Sequence, residues 1–124
     1  MRLKNFLIVV KDLEKSKKYY HDLFGFCELR NNDGNVILID GLVLQKESVF
    51  KEVIREDVIY KNNASELYFE ETDIEGFANK LERDYPDTIY INRLETLNHG
   101  QKMMRFYDPD GNLIEVRTPM NMSR

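Results

Sequence analysis

The sequence predicts an α+β fold built from two βαβββ modules, each a strand, a helix and three further strands. Three observations lead there. Asp12-Leu13-Glu14 recurs as Asp73-Ile74-Glu75 at an offset of 61 residues, each copy following a strand pattern and opening a helical one. The segment RFYDPDGNLIEV, residues 105 to 116, reads as a β-hairpin with its turn chemistry specified. Asp40-Gly41 then matches Asp110-Gly111 at an offset of 70, so a similar strand connection closes each half.

The first module, residues 1–46, opens with a strand over 5–10, NFLIVV. That run is almost entirely apolar, which predicts cover on both faces. Asp12 is an N-cap for a helix carrying Leu13, Ser16, Tyr20, Leu23 and Phe24 at helical spacing, and Gly25 stops it. Strands follow over 26–30, 35–39 and 42–46, with Asn32-Asp33-Gly34 and Asp40-Gly41 as turns. Residues 47–64 form a connector in which SVFKEVIRED can make one or two amphipathic turns and KNNAS is loop.

The second module, residues 65–124, begins with Glu66, Tyr68 and Glu70 alternating with Leu67 and Phe69, the period of a strand. Asp73 caps a helix carrying Ile74, Phe77, Ala78, Leu81 and Tyr85, and Pro86 breaks it. Strands follow over 88–92, 103–107 and 113–117, and the growth in offset from 61 to 70 places nine extra residues around 94–101. DGNVI at 33–37 also echoes DGNLI at 110–114, but the offset of 70 keeps the strand order equal in both halves. In the hairpin, Pro109, Asp110 and Gly111 form the loop. Asp108 then pairs with Asn112, Tyr107 with Leu113, Phe106 with Ile114 and Arg105 with Glu115. Each module has one helix for one sheet face. Two such sheets can close as a curved mixed sheet around a cavity, within a single domain over 1–124.

The chain has 124 residues, enough for a core that needs no metal or disulfide to fold. No apolar run approaches the ~18 residues of a membrane span, and no secretory signal leads the sequence. Cys27 is the single cysteine, which excludes a disulfide framework and a thiolate metal cluster and suits a cytoplasmic setting. The net charge of −4 disfavours nucleic acid as a partner and suits a cationic ligand.

VVKDLEKSKKYYHDLFGF (9–26) and FYDPDGNLIEV (106–116), set in an internal duplication, resemble the vicinal oxygen chelate superfamily. That superfamily groups glyoxalase I, bleomycin-resistance proteins and extradiol dioxygenases. The resemblance covers essentially the whole chain. In metal-dependent members each half donates two ligands to one divalent ion. One lies seven residues before the N-cap Asp, and the other four residues after the hairpin Gly. Carried over, these rules point to Asn5 and Glu66, and to Gln45 and Glu115. Members that bind a metal usually present His and Glu there, and this chain presents no His. Amides are weak neutral ligands, so the resemblance implies no cofactor, with one divalent ion held by Glu66, Glu115 and Gln45 as the alternative.

The expected cavity is lined by Asn5, Gln45, Glu66, Tyr68, Arg105, Tyr107 and Glu115, and takes a small organic molecule. Two function classes compete. One is a metal-free binding protein like the bleomycin-resistance branch. The other is a metal-dependent glyoxalase- or dioxygenase-type enzyme with Glu66 and Glu115 as ligands. Arg105 can neutralise Glu115 and shape the wall, or one carboxylate, Glu115 or Glu66, can act as a general base. Tyr90 is a further aromatic near the cavity. His99 reads as a solvated loop residue, His21 as exposed, and Cys27 as a small hydrophobe in a strand. The Lys15, Lys17, Lys18 run is a solvated helix face. The resemblance also implies a homodimer.

Overall fold

The computed structural model describes residues 1–120, residue 40 by its backbone alone; the last four residues of the expected second module lie outside the described residues. The elements are β1 (Phe6–Val10), α1 (Leu13–Phe24), β2 (Glu28–Asn32), β3 (Asn35–Leu38), β4 (Leu42–Lys46), α2 (Glu47–Ile54), β5 (Leu67–Glu70), α3 (Ile74–Asp84), β6 (Tyr90–Thr96), β7 (Lys102–Tyr107) and β8 (Leu113–Arg117). They divide into two compact units, Met1–Ile59 and Tyr60–Arg124.

In the first unit the strand order is β1-β4-β3-β2, with β1 parallel to β4 and the other neighbours antiparallel. Asp12 accepts a hydrogen bond from the Lys15 amide at 3.1 Å, satisfying one of the unpaired donors of the first turn of α1. Gly25 ends the helix in the left-handed region at φ 71°, where a Cβ would be strained. The amide of Phe26 still bonds the Tyr20 carbonyl at 3.2 Å, so Phe26 belongs to the helix cap. That is why β2 starts at Glu28, two residues later than the sequence predicts. Helix α1 packs on β3 and β4 and buries Ser16, Tyr19, Tyr20 and Leu23. Ile8, Val10, Val36, Leu38, Leu42 and Leu44 complete the core.

Two expectations are corrected here. Phe6 and Leu7 are exposed although Ile8, Val9 and Val10 are buried, because β1 is the edge of its sheet and only its second half is covered. Cys27 is exposed and precedes β2, so it is not a strand hydrophobe. The connector forms two turns of helix, α2, which pack on β1 and β4. Val49 of α2 sits so close to Gly34 that a Cβ there would come within 2.6 Å of it, which fixes glycine at this turn.

In the second unit the order is β5-β8-β7-β6, again with one parallel pair. Asp73 caps α3 by accepting from the Gly76 amide at 3.0 Å. Thr88 is held by the Tyr85 carbonyl, through its amide at 3.1 Å and its hydroxyl at 2.6 Å. This turn delays β6 to Tyr90, and β6 then runs on to Thr96 with two register irregularities. These irregularities and the turn after Thr96 take up the extra residues expected around 94–101. The predicted hairpin pairs all form, from Arg105 with Glu115 to Tyr107 with Leu113, and Asp108 bonds Asn112. Gly111 takes φ 86°. Asp108 accepts from the amides of Asp110 at 2.9 Å and Asn112 at 2.8 Å, so its own side chain closes the loop.

Period-two alternation separates the faces of this sheet. Met104, Phe106, Ile114 and Val116 turn toward α3, whose Phe77 ring lies 6.0 Å from Phe106. Ile114 is fully buried, and cutting it to Ala would cost about 2–5 kcal/mol. The opposite face carries Tyr68, Glu70, Arg105, Tyr107, Glu115 and Arg117.

Candidate functional site

The two carboxylates expected at the site meet on the face of the second sheet turned away from α3. The parallel register sets Tyr68 level with Glu115 and Leu67 level with Ile114. Glu66 therefore stands two positions from Glu115 on the same face, within side-chain reach. Arg105 lies directly across the hairpin from Glu115.

Arg105 ties the group together. Its Nη2 donates to Glu115 Oε1 at 2.8 Å, its Nε to Glu66 Oε1 at 3.3 Å, and its Nη1 to Asn92 Oδ1 at 3.2 Å. Arg117 Nε donates to the other Glu115 oxygen, Oε2. Both oxygens of Glu115 thus accept from guanidinium groups, and its side chain is only 2% exposed. A buried carboxylate requires such partners, since an unpaired charge there is expensive.

The two carboxyls are driven apart in acidity. Burial pushes Glu66 up, and the hydrogen bond and charge of Glu115 add to that shift. Burial also pushes Glu115 up, but a hydrogen bond from Glu66 and the guanidiniums of Arg117 and Arg105 outweigh it and leave Glu115 below its ordinary value. A proton added to the pair therefore goes to Glu66, which can donate it toward Glu115.

The other predicted residues fall as follows. Tyr68 presents its ring on this face and is 52% exposed. Tyr107 is 8% exposed, and its hydroxyl donates to Asn63 Oδ1 at 2.5 Å. Lys61 Nζ sits 5.0 Å from the centre of the same ring. Tyr107 is thus held by the 61–63 segment at the edge of the cluster. Tyr90 is not part of this face. It packs 6.3 Å from Phe106, and its hydroxyl donates to Glu82 of α3 at 3.1 Å.

The first half does not assemble its expected pair. Phe6 is level with Leu42, so Asn5 lies at the start of the β1–β4 pair, while Gln45 is level with Val9. Four residues of strand, about 13 Å, separate them. Gln45 instead donates from Nε2 to Asn35 Oδ1 at 2.7 Å, across the β3–β4 pair. The physical reason is register. The β3–β4 and β7–β8 pairs match at the offset of 70, but each docks on its parallel strand differently. Leu7 corresponds to Tyr68 at the offset of 61, yet Leu7 is level with Val43 and Tyr68 with Glu115. The residue of β4 that takes the place of Glu115 beside the first strand is the apolar Val43.

Three further residues belong to the cluster: Arg117, Asn92 and Gln101. Arg117 was accessible to sequence reasoning, because two residues beyond Glu115 it must share that face. Asn92 was hidden by the register shift in β6. Gln101 stands at the end of the turn after β6 and is buried. Its Nε2 donates to the Thr118 carbonyl at 2.6 Å, and its Oε1 accepts from Arg117 Nη1 at 3.1 Å and faces His99 Nε2 at 2.9 Å. His99, expected as a solvated loop residue, is exposed but linked through Gln101 and Arg117 to Glu115.

The family model of the glyoxalase-like domain matches residues 3–121. Among solved structures, a protein of unknown function from Agrobacterium tumefaciens is 29% identical, with a TM-score of 0.79 over 97% of this chain and 95% of that one. A hypothetical protein from S. aureus is 23% identical, with a TM-score of 0.79 over 96% of this chain and 95% of that one. A fosfomycin resistance protein from Mesorhizobium loti shares the fold at 14% identity, with a TM-score of 0.71 over 96% of this chain and 92% of that one. Among curated proteins none is significantly similar to this chain. With both βαβββ halves in place and the model matched along nearly its whole length, the chain belongs to the glyoxalase-like domain family.

Proposed function

We propose that this protein binds a small organic molecule on the face carrying Glu66, Tyr68, Arg105 and Glu115, without a metal ion. The observation that carries this reading is the pairing of Glu115, whose two oxygens both accept from arginines. A divalent cation would have to displace two guanidiniums from a buried carboxylate. Among the described residues no group of three His, Cys, Asp or Glu is placed to hold a metal ion. The amides Asn5 and Gln45 are too far apart along their sheet to add a pair of donors.

The ligand's character follows from what remains available. Arg105 is 31% exposed, and the exposed residue Tyr68 shares its sheet face on the far side of Glu115. The face therefore offers a guanidinium for a carbonyl or carboxylate oxygen and an aromatic surface for a flat group. That differs from the cationic ligand suggested by the net charge, because the buried acidic group is already neutralised.

The test is elemental analysis of the purified protein together with thermal shifts against manganese, nickel, zinc and a panel of small aromatic carboxylates. The expected result is substoichiometric metal, no shift with the ions, and a shift with at least one carboxylate that is lost in Tyr68→Ala. Stoichiometric metal would overturn the reading in favour of a metal-dependent enzyme of the glyoxalase type.

A further inference from the structure

Residues 61–63 run beside the face that carries Arg105, and two of the three are bent into a conformation that side chains resist. Lys61 takes φ 58° and Asn63 φ 57°, both in the left-handed region. Asn enters that region readily, whereas Lys does so at a cost. Such a backbone persists only where its surroundings hold it, and three contacts do so. Asn63 Oδ1 accepts from the Tyr107 hydroxyl at 2.5 Å. Asn62 Oδ1 accepts from the Ala64 amide at 2.9 Å and closes the turn. The hairpin loop makes room at Gly111, where a Cβ would come within 3.2 Å of the Lys61 amide nitrogen. The outcome is a placed cation: Lys61 Nζ lies 5.0 Å from the centre of the Tyr107 ring. Among the described residues no carboxylate pairs with it, in a chain that has 22 Asp and Glu residues.

We propose that residues 61–63 are a strap that presents Lys61 to the ligand as a second cation beside Arg105, which selects a small dicarboxylate. The proposal rests on the metal-free reading above and names the ligand class. Tyr107 stands two positions along β7 from Arg105 on the same face, about 7 Å away. The ammonium over its ring and the Arg105 guanidinium are therefore neighbours on one surface. Arg105 and Arg117 are both drawn to Glu115, and Arg105 to Glu66 as well, whereas the charge of Lys61 is uncommitted among the described residues. One carboxylate of the ligand meets a flat guanidinium, and the other a compact ammonium with three donors. A ligand with a single carboxylate leaves one of the two cations unused. Tyr107 and Asn63 act as positioning residues, because they hold the strap.

The experiment compares isophthalate with benzoate, the same ring with and without a second carboxylate. Affinities are measured by NMR titration at low ionic strength, with circular dichroism to confirm that each variant is folded. Wild type should bind isophthalate about tenfold more tightly: a factor of about two from its two equivalent carboxylates, and about five from the second ionic contact. Lys61→Met keeps an apolar stem over Tyr107 and removes the charge, so the ratio should fall to about twofold. Lys61→Arg should preserve the preference. Tyr107→Phe keeps the ring but frees Asn63, so the ratio should fall although Lys61 is intact. A wild-type ratio of about twofold or less, or a ratio that survives in Lys61→Met, would overturn the proposal and leave the metal-free reading intact. A ratio unchanged in Tyr107→Phe would overturn the strap. Wild type that binds no carboxylate of the panel would overturn both the proposal and the reading beneath it.

Discussion

The two antiparallel strand pairs that close each half hold the same position in their modules and carry opposite chemistry. In the first, Gln45 faces Asn35 across the strands, joined by an amide hydrogen bond of 2.7 Å. In the second, Glu115 faces Arg105 at 2.8 Å, with Arg117 on the far oxygen and Glu66 alongside. Duplication supplies two equivalent cross-strand positions; what they become depends on how each pair docks against its parallel strand. The second docks so that Glu66 and Tyr68 flank Glu115. The first is slid by two residues, so Asn5 is left apart from Gln45. A neutral pair at the second site would need no burial partners, whereas a carboxylate there calls in two arginines.

The largest test of this contrast is truncation on both sides. Glu115→Ala leaves two guanidiniums without their shared anion and should cost about 3–5 kcal/mol in denaturant unfolding. Gln45→Ala removes one neutral hydrogen bond and should cost about 1 kcal/mol. Equal losses would break the comparison. Next comes the transplant of the neutral pair, Arg105→Asn with Glu115→Gln. Measured with both single variants as a double-mutant cycle, it should show a coupling of about 1–3 kcal/mol, because each single change strands its partner.

A smaller effect lies in the pH dependence. Glu66 is raised, so it binds its proton more tightly in the folded state; that contribution is present below the ordinary carboxyl value of 4.5 and is lost as pH rises through the folded value. Glu115 is lowered, so its contribution is full above 4.5 and is lost as pH falls through its folded value. The two slopes oppose each other. Glu66→Gln keeps a donor toward Glu115 but removes one titration, so the fall in stability that Glu66 gives the wild type as pH rises above about 4.5 should be absent in the variant. A parallel pair of stability curves would show that Glu66 does not titrate differently on folding. The smallest effect is that of Tyr68→Ala, which should change stability by less than about 0.5 kcal/mol because the ring is exposed.

Most of the fold was legible because it is written in local chemistry. Asp12 and Asp73 cap the helices as expected, and the Pro109-Asp110-Gly111 loop sets every pair of the closing hairpin. The cluster was half legible. Glu66, Arg105 and Glu115 come together, because period two and hairpin register both reach them. The separation of Asn5 from Gln45 was not legible, since the register of a parallel pair is set by packing of α1 and α3 on their sheets rather than by any turn. Gln101 was out of reach for a related reason: the turn after β6 fixes its place, and no alternation runs through a turn.

The Gln101 amide has a consequence for protons. The Thr118 carbonyl can only accept, so the amide nitrogen must face it, and Oε1 must face His99 and Arg117. His99 is then the donor in its bond to Gln101, with its proton on Nε2. The ring is thereby held as a donor, and Gln101 joins His99 and Arg117 on its oxygen side to the Thr118 carbonyl on its nitrogen side.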